Sequence, residues 1–250
     1  MASFHRCIFV LSFACLIANP ALPQARNEPA LQKQVEELKT QLKSVQNDVD
    51  QIKATLREQS ARANPVFDIT GDPSKGEPGA KLVVVEFSDF ECPFCLEYFK
   101  TIYSQVIEGY VKTGKVRYVF ADFPGESIHP HALKAAEAGR CGNEQGKFWE
   151  MHDQLFMHQR DLATTGIQDA AHAAGLNQAQ FESCLNSGKY TPKIRAAEEA
   201  TAKMGVNGTP AFLIGTPDPA DPSKIKLVRA LVGAQPFAAF QQAIDSSLPK

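Results

Sequence analysis

Two cysteines separated by two residues, Cys92-Pro93-Phe94-Cys95, are the side chains of this sequence best suited to chemistry. A C-x-x-C pair serves as half of a zinc site, as a plain disulfide, or as a dithiol that opens and closes. Zinc asks for four ligands, usually from a second close pair of Cys or His. Cys141 and Cys184 stand far apart and no second C-x-x-C exists, so no metal is expected. The flanking residues favour redox exchange. Leu82 to Phe87 is an apolar, β-branched run interrupted only by Glu86, the pattern of a buried strand. Leu96 to Val111 is amphipathic and reads as a helix. Cys92 then falls at or near a helix N-cap, facing unpaired N–H groups and the positive end of the helix dipole. Pro93 fits an early helical position, where a missing N–H costs nothing. A thiolate in that place is stabilised, its pKa falls, and it becomes a nucleophile or leaving group near neutral pH.

Two further features bear on the pair. Glu86 lies six residues before Cys92 in the middle of the apolar strand. A buried carboxylate has a raised pKa and beside a dithiol can carry protons as the disulfide opens and closes. Its blander reading is a partly exposed strand-end charge, since carboxylates are seldom fully buried. The second feature is the turn Gly205 to Gly208, followed by Thr209 and by Pro210 opening an apolar run to Ile214.

Strand, C-P-x-C, helix, an acid six residues upstream and a distant Gly-Thr-Pro opening a strand together resemble the thioredoxin superfamily. The spacing is similar to that of its DsbA-like branch, including relatives that share the phrase F-S-D-F-E-C-P-F-C. The likeness spans roughly Val66 to Leu248. It implies an α/β thioredoxin fold with an inserted helical domain. It also implies a cis bond before Pro210, packing of Pro210 beside the active-site pair, and reception of substrate peptide by the Thr209 backbone.

Exchange would run through a mixed disulfide, with Cys92 as the attacking or attacked sulfur and Cys95 resolving the intermediate. Pro93 and Phe94 tune the poise. Phe94 brings neither an N–H donor nor a positive charge to the thiolate, so a milder oxidant than a C-P-H-C site is expected.

Residues 1–25 read as a signal peptide: a short basic lead with His5 and Arg6, an apolar run from Cys7 to Ala18, then a Pro- and Ala-containing tail. The run is short of the ~20 residues of a spanning helix. A lipoprotein signal at Cys15 and an uncleaved anchor are the rival readings. Removal of this leader takes Cys7 and Cys15 with it and implies export, to the periplasm or beyond. Cys92, Cys95, Cys141 and Cys184 remain, and four cysteines allow three pairings. Proximity joins Cys92 to Cys95, leaving Cys141 and Cys184 as a structural disulfide or, less in keeping with an oxidising compartment, as two free thiols.

From Leu31 to Leu56 apolar residues recur at alternating steps of four and three: Leu31, Val35, Leu38, Leu42, Val45, Val49, Ile52 and Leu56. That is a heptad seam on an otherwise polar stretch without Pro or Gly, expected over 29–58 as a coiled-coil oligomerisation helix. One helix packed on its own domain, or a solvated spacer, is the alternative. Pro65 ends the helix. The thioredoxin domain is expected in two parts, 65–127 and 204–250. In the first, Val66 to Ile69 and Val116 to Phe123 add strands to Leu82–Phe87. In the second, Pro210 to Gly215 and Lys224 to Gly233 form an antiparallel pair before a closing helix, Phe237 to Leu248. Between them, 128–203 is Ala-rich with helical period and room for three to five helices. Phe148, Trp149, Met151, Leu155 and Phe156 form an apolar face suited to a core. His129 and His131 read as loop residues, His152 and His158 make no metal face, and His172 reads as surface.

A formal charge of −2 and the lack of a basic patch argue against nucleic acid. No cofactor is called for. Protein substrates with cysteines and a membrane or periplasmic redox partner are the partners implied. Three functions fit: a disulfide isomerase or reductase that self-associates through Leu31–Leu56, a monomeric DsbA-like dithiol oxidase, and an envelope interaction protein using the fold as a scaffold.

Overall fold

A computed structural model describes residues 28–63 and 66–249; the expected signal peptide lies outside them. The chain divides into two units, one ending at Gln59 and the other beginning at Ser60. Helix α1 (Glu28–Ala63) makes up the described part of the first unit and continues past Gln59. Every described side chain of α1 is exposed, including the seam residues Leu31, Val35, Leu38, Leu42, Val45, Val49 and Ile52. Ion pairs along its flank stay within the helix, Lys39 with Glu36 at 2.8 Å and Lys53 with Asp50 at 3.8 Å.

The second unit is built on a six-stranded sheet ordered β1-β6-β5-β3-β4-β2. Its strands are β1 (Val66–Asp68), β2 (Ser74–Lys75), β3 (Leu82–Ser88), β4 (Val116–Asp122), β5 (Ala211–Pro217) and β6 (Lys224–Val232). β3 runs parallel to β4 and antiparallel to β5, and all seven of its residues are buried. Burial on both faces explains why this strand reads as a continuous apolar run rather than as an alternation. Leu82 and Val84 face one cluster, with Tyr98, Tyr118, Phe212 and Phe240. Val83, Val85 and Phe87 face another, with Phe67, Ile69 and Val119. Each fully buried large side chain there contributes roughly 1.5–3 kcal/mol. The β5–β6 hairpin slips register between Ile214 and Gly215. At Gly215 a Cβ would lie 2.3 Å from the Lys226 carbonyl, so the bulge requires glycine.

Helix α2 (Pro93–Tyr98) leaves the sheet after β3 and is prolonged by wide turns at Phe99–Tyr103 and Ile107–Val111 around a short α segment, Ser104–Val106. It starts three residues earlier than the apolar period suggests, because Pro93 opens it. Between β4 and β5 come α3 (Ala132–Glu144), α4 (Phe148–Met157), α5 (Gly166–Ala173), α6 (Gln178–Ser187) and α7 (Thr191–Lys203); α8 (Phe237–Asp245) closes the chain. This is a thioredoxin fold with a helical insertion. The insertion has its own core, in which Phe148, Met151, Leu155 and Phe156 pack with Phe181 and Leu185. Cys141 on α3 and Cys184 on α6 form a disulfide across that core.

The insertion is fastened to the sheet by a buried ion cluster. Arg140 on α3 donates to Asp122 at the end of β4 at 2.5 Å, to Asp72 at 2.8 Å and to the Gly71 carbonyl at 3.0 Å. Desolvation pushes both carboxyls up, and the guanidinium opposes this.

Candidate active site

β3 ends at Ser88, and a short turn leads from it into α2. Cys92 occupies the N-cap with extended backbone, φ −72° and ψ 124°, and Pro93 sits in the first turn. The Cys92 and Cys95 thiols are free. Cys95 is fully buried, whereas Cys92 lies beside a groove of about 450 Å³ that Pro93, Phe94, Ile128, Glu198 and Thr209 also line. Phe94 is 60% exposed and Ile128 75% exposed, an apolar rim on that groove.

The loop before β5 approaches from the other side. The Thr209–Pro210 peptide bond is cis, and the Thr209 carbonyl accepts a hydrogen bond from the Cys92 thiol at 3.5 Å. The loop that carries Thr209 and the cis Pro210 thus reaches Cys92 through the Thr209 carbonyl, although more than a hundred residues separate them in sequence.

The two sulfurs sit in different electrostatic surroundings. The Cys92 thiol is lowered to about 6, first by the hydrogen bond from Cys95, then by Thr209 and the N–H groups of Cys95 and Phe94, against the effect of burial. The Cys95 thiol is pushed well up, chiefly by desolvation, then by its bond to Cys92 and the charges of Cys92 and Glu86. One sulfur of the pair is held toward thiolate and its neighbour toward thiol.

Glu86 is 1% exposed. Tyr118 donates to its Oε2 at 2.5 Å, and the Tyr118 and Tyr98 hydroxyls share a bond of 3.0 Å. Burial raises this carboxyl to about 7, with Tyr118 and Ser88 opposing the rise. The partly exposed reading of Glu86 does not apply, because the strand is covered on both faces.

Several supporting residues escape a sequence reading because their partners are remote. Asp89 Oδ1 accepts from the Glu91 amide at 2.7 Å. Its Oδ2 accepts from the Gly125 amide at 2.9 Å and pairs with His129 Nδ1 at 2.7 Å. Glu91 pairs with His131 Nδ1 at 2.9 Å and accepts from the His131 amide at 2.6 Å. His129 and His131 therefore tie the loop after β4 to the loop bearing Cys92. Gln159, from the insertion, donates to the carbonyls of Phe90 at 2.8 Å and Cys92 at 3.0 Å. The F-S-D-F-E spelling carried the acids of this bracing, but nothing in the sequence marked Gln159. His152 is buried among Phe90, Phe99, Phe120 and Phe156, its Nδ1 on Asp153 at 2.8 Å. Among the described residues no cluster of three or more His, Cys, Asp or Glu is arranged to hold a metal.

Known proteins place this geometry. A family model described as thioredoxin matches residues 68–234. The structure of α-DsbA1 from Wolbachia pipientis superposes with a TM-score of 0.61 at 25% identity, covering 70% of this chain and 90% of that one. A protein of Bacillus anthracis described as a probable disulfide bond formation protein D is 25% identical over 166 residues, 64% of this chain and 76% of its own length. A Na(+)/H(+) antiporter NhaA 3 of Salinispora tropica is 33% identical over 161 residues, 64% of this chain but 24% of its own length. The chain thus spans about a quarter of the antiporters it matches, and no described helix is long and apolar enough to cross a membrane. With the cysteine pair at the β3–α2 junction, the cis-proline loop against it and the helical insertion beside it, this chain belongs to the thioredoxin family, in its DsbA-like branch of thiol–disulfide oxidoreductases.

Proposed function

We propose that this protein exchanges disulfides with cysteine-containing protein substrates after export, and that it works chiefly as an isomerase or reductase. The observation that carries the reading is the asymmetry of the pair: Cys92 at about 6 beside the groove, Cys95 buried and held protonated. Cys92 thiolate attacks a substrate disulfide, one substrate sulfur leaves, and a mixed disulfide forms. Cys95, once deprotonated, attacks Cys92, expels the second substrate sulfur and closes the Cys92–Cys95 disulfide. Thr209 and Pro210 are the substrate-facing loop, and the exposed Phe94 and Ile128 supply apolar contact for an unfolded chain.

Isomerase duty needs a reduced Cys92 within reach of the groove it lines and benefits from paired sites around one substrate. The unpartnered seam of α1, with Leu38 62% and Leu42 70% exposed, supports self-association through Leu31–Leu56. Export, with a periplasmic or membrane partner resetting the pair, is supported by the Cys141–Cys184 disulfide, since such bonds persist in oxidising compartments.

Three assays on the same protein decide the direction: reduction of insulin, refolding of scrambled ribonuclease, and oxidation of a reduced dithiol peptide. Activity in the first two with little of the third is expected. Strong oxidation with no isomerisation makes it an oxidase, and inactivity in all three with an intact fold makes it a scaffold.

A further inference from the structure

Besides Cys92, three titratable side chains line the groove of the candidate site: Asp89, His129 and Glu198. Two of them are committed to each other. Asp89 accepts from the Glu91 and Gly125 amides and pairs with His129 Nδ1 at 2.7 Å. Glu198, on α7, is different. Among the described residues it has neither a hydrogen bond nor an ion pair.

The cations that could neutralise it are engaged elsewhere. Arg195, one turn earlier on α7, reaches across to Glu126 in the loop after β4. Its Nε donates to Oε1 at 3.1 Å and its Nη2 to Oε2 at 2.9 Å, a two-pronged pairing that holds the guanidinium in one direction. Lys203 pairs with Glu199 at 2.7 Å. Glu198 is half-buried, and burial raises its carboxyl; the charges of Glu126 and Asp89 add to the rise, and Arg195 opposes it. A partly desolvated anion among like charges gains from an arriving cation and loses from an arriving carboxylate.

The remainder of the groove narrows the choice of cation. Phe94 and Ile128 form an exposed apolar rim. A lysine or arginine side chain suits such a wall, because its apolar stem lies along the rim while its charged head stays at the carboxylate or in water. A mixed disulfide on Cys92 also tethers the substrate at the groove. Side chains close to the substrate cysteine then meet Glu198 at high effective concentration, so a contact too weak to capture a free peptide still counts.

We propose that Glu198 is a specificity residue, favouring substrate cysteines that have a lysine or arginine close by and disfavouring those beside acidic residues. The inference rests on the exchange reading above and names the class of substrate that this site prefers.

Disulfide-linked dimers of one short peptide test it, with Lys, Gln or Glu beside the cysteine. Reduction by the reduced protein is timed by chromatography after an acid quench, and each rate is divided by that with dithiothreitol, which removes the peptide's own reactivity. The wild type should favour the Lys peptide over the Glu peptide about fivefold, the upper range for a partly exposed ion pair. That preference should shrink at about 0.5 M salt, where exposed charges are screened. Glu198→Gln should bring the ratio close to one, and Glu198→Lys should invert it. Glu199→Gln, on the neighbouring residue paired with Lys203, should leave the ratio as it is. A wild-type ratio of one, a ratio unmoved in Glu198→Gln, or an equal fall in Glu199→Gln overturns the proposal. So does a wild type that reduces 4,4′-dithiodipyridine, a neutral disulfide, but none of the peptides. If it reduces neither, the exchange reading itself fails. Glu198 is then judged by fluorescence anisotropy of a labelled Lys peptide carrying serine for cysteine: binding must weaken in Glu198→Gln, or the proposal falls.

Discussion

The Cys92 thiol donates to the Thr209 carbonyl at 3.5 Å, joining the start of α2 to the loop that opens β5. That bond belongs to the thiol form and is given up on ionisation. The Cys95 thiol, the Thr209 side chain and the amides of Cys95 and Phe94 then favour the ionised sulfur.

The reduced protein should be alkylated at Cys92 with a midpoint near pH 6, since that thiol is lowered to about 6. Cys95 should remain unlabelled throughout the neutral range. Cys92→Ser should abolish exchange, and Cys95→Ser should accumulate mixed disulfide. Mass spectrometry of the labelled protein checks the assignment, and equal labelling of both sulfurs at pH 7 would refute it.

Glu86 makes stability depend on pH in a stated direction. Its carboxyl is raised from 4.5 to about 7 in the folded protein. A group with a raised folded pKa contributes stability fully below its unfolded value and loses it as pH climbs through the folded one. Between pH 4.5 and 8 the wild type should thus lose about 3 kcal/mol relative to Glu86→Gln. Denaturant unfolding of both proteins across that window measures it. A constant difference would mean that Glu86 is ionised much as it would be in water.

The central part of this molecule was legible because its information is local. A continuous apolar run means a strand covered on both faces, C-P-x-C after it fixes the turn into α2, and Gly-Thr-Pro marks the opposing loop. The pairing of Cys141 with Cys184 follows once Cys92 and Cys95 are joined. What was not legible depends on distance. His129 and His131 are the partly exposed loop residues their sequence suggested, but their pairing went unseen because Asp89 and Glu91 lie forty positions earlier. Tyr118 looked like an ordinary strand aromatic until the parallel register brought β4 beside Glu86. β2 was hidden in a turn-rich stretch, since its two residues pair with β4 without any apolar pattern.

Arg140 should be among the most sensitive positions outside the cysteine pair. It is buried together with Asp122, one of whose carboxylate oxygens has no partner even with the arginine present. Arg140→Ala leaves Asp122 and Asp72 buried and uncompensated, a loss of roughly 3–5 kcal/mol. Arg140→Met together with Asp122→Leu should recover part of that loss, because removing both charges also removes the desolvation cost. Unfolding midpoints of the single and double variants decide; a single variant as stable as wild type would mean that the cluster does not fasten the insertion.

Self-association through α1 is tested without shortening the chain. Leu38 and Leu42 sit in the middle of the seam and are exposed, so Leu38→Glu with Leu42→Glu changes no packed core. Like charges facing each other across a coiled-coil seam oppose association, and apolar contact at these positions is lost as well. The wild type should sediment as an assembly at micromolar concentration and the double variant as a monomer. Cys92 alkylation should be the same in both, because the nucleophile is set by α2 and the Thr209 loop. Refolding of scrambled ribonuclease should fall in the monomer while insulin reduction holds. A wild type that is already monomeric, or an assembly whose mass the two charges leave unchanged, would assign the seam another role and return the protein to the oxidase reading.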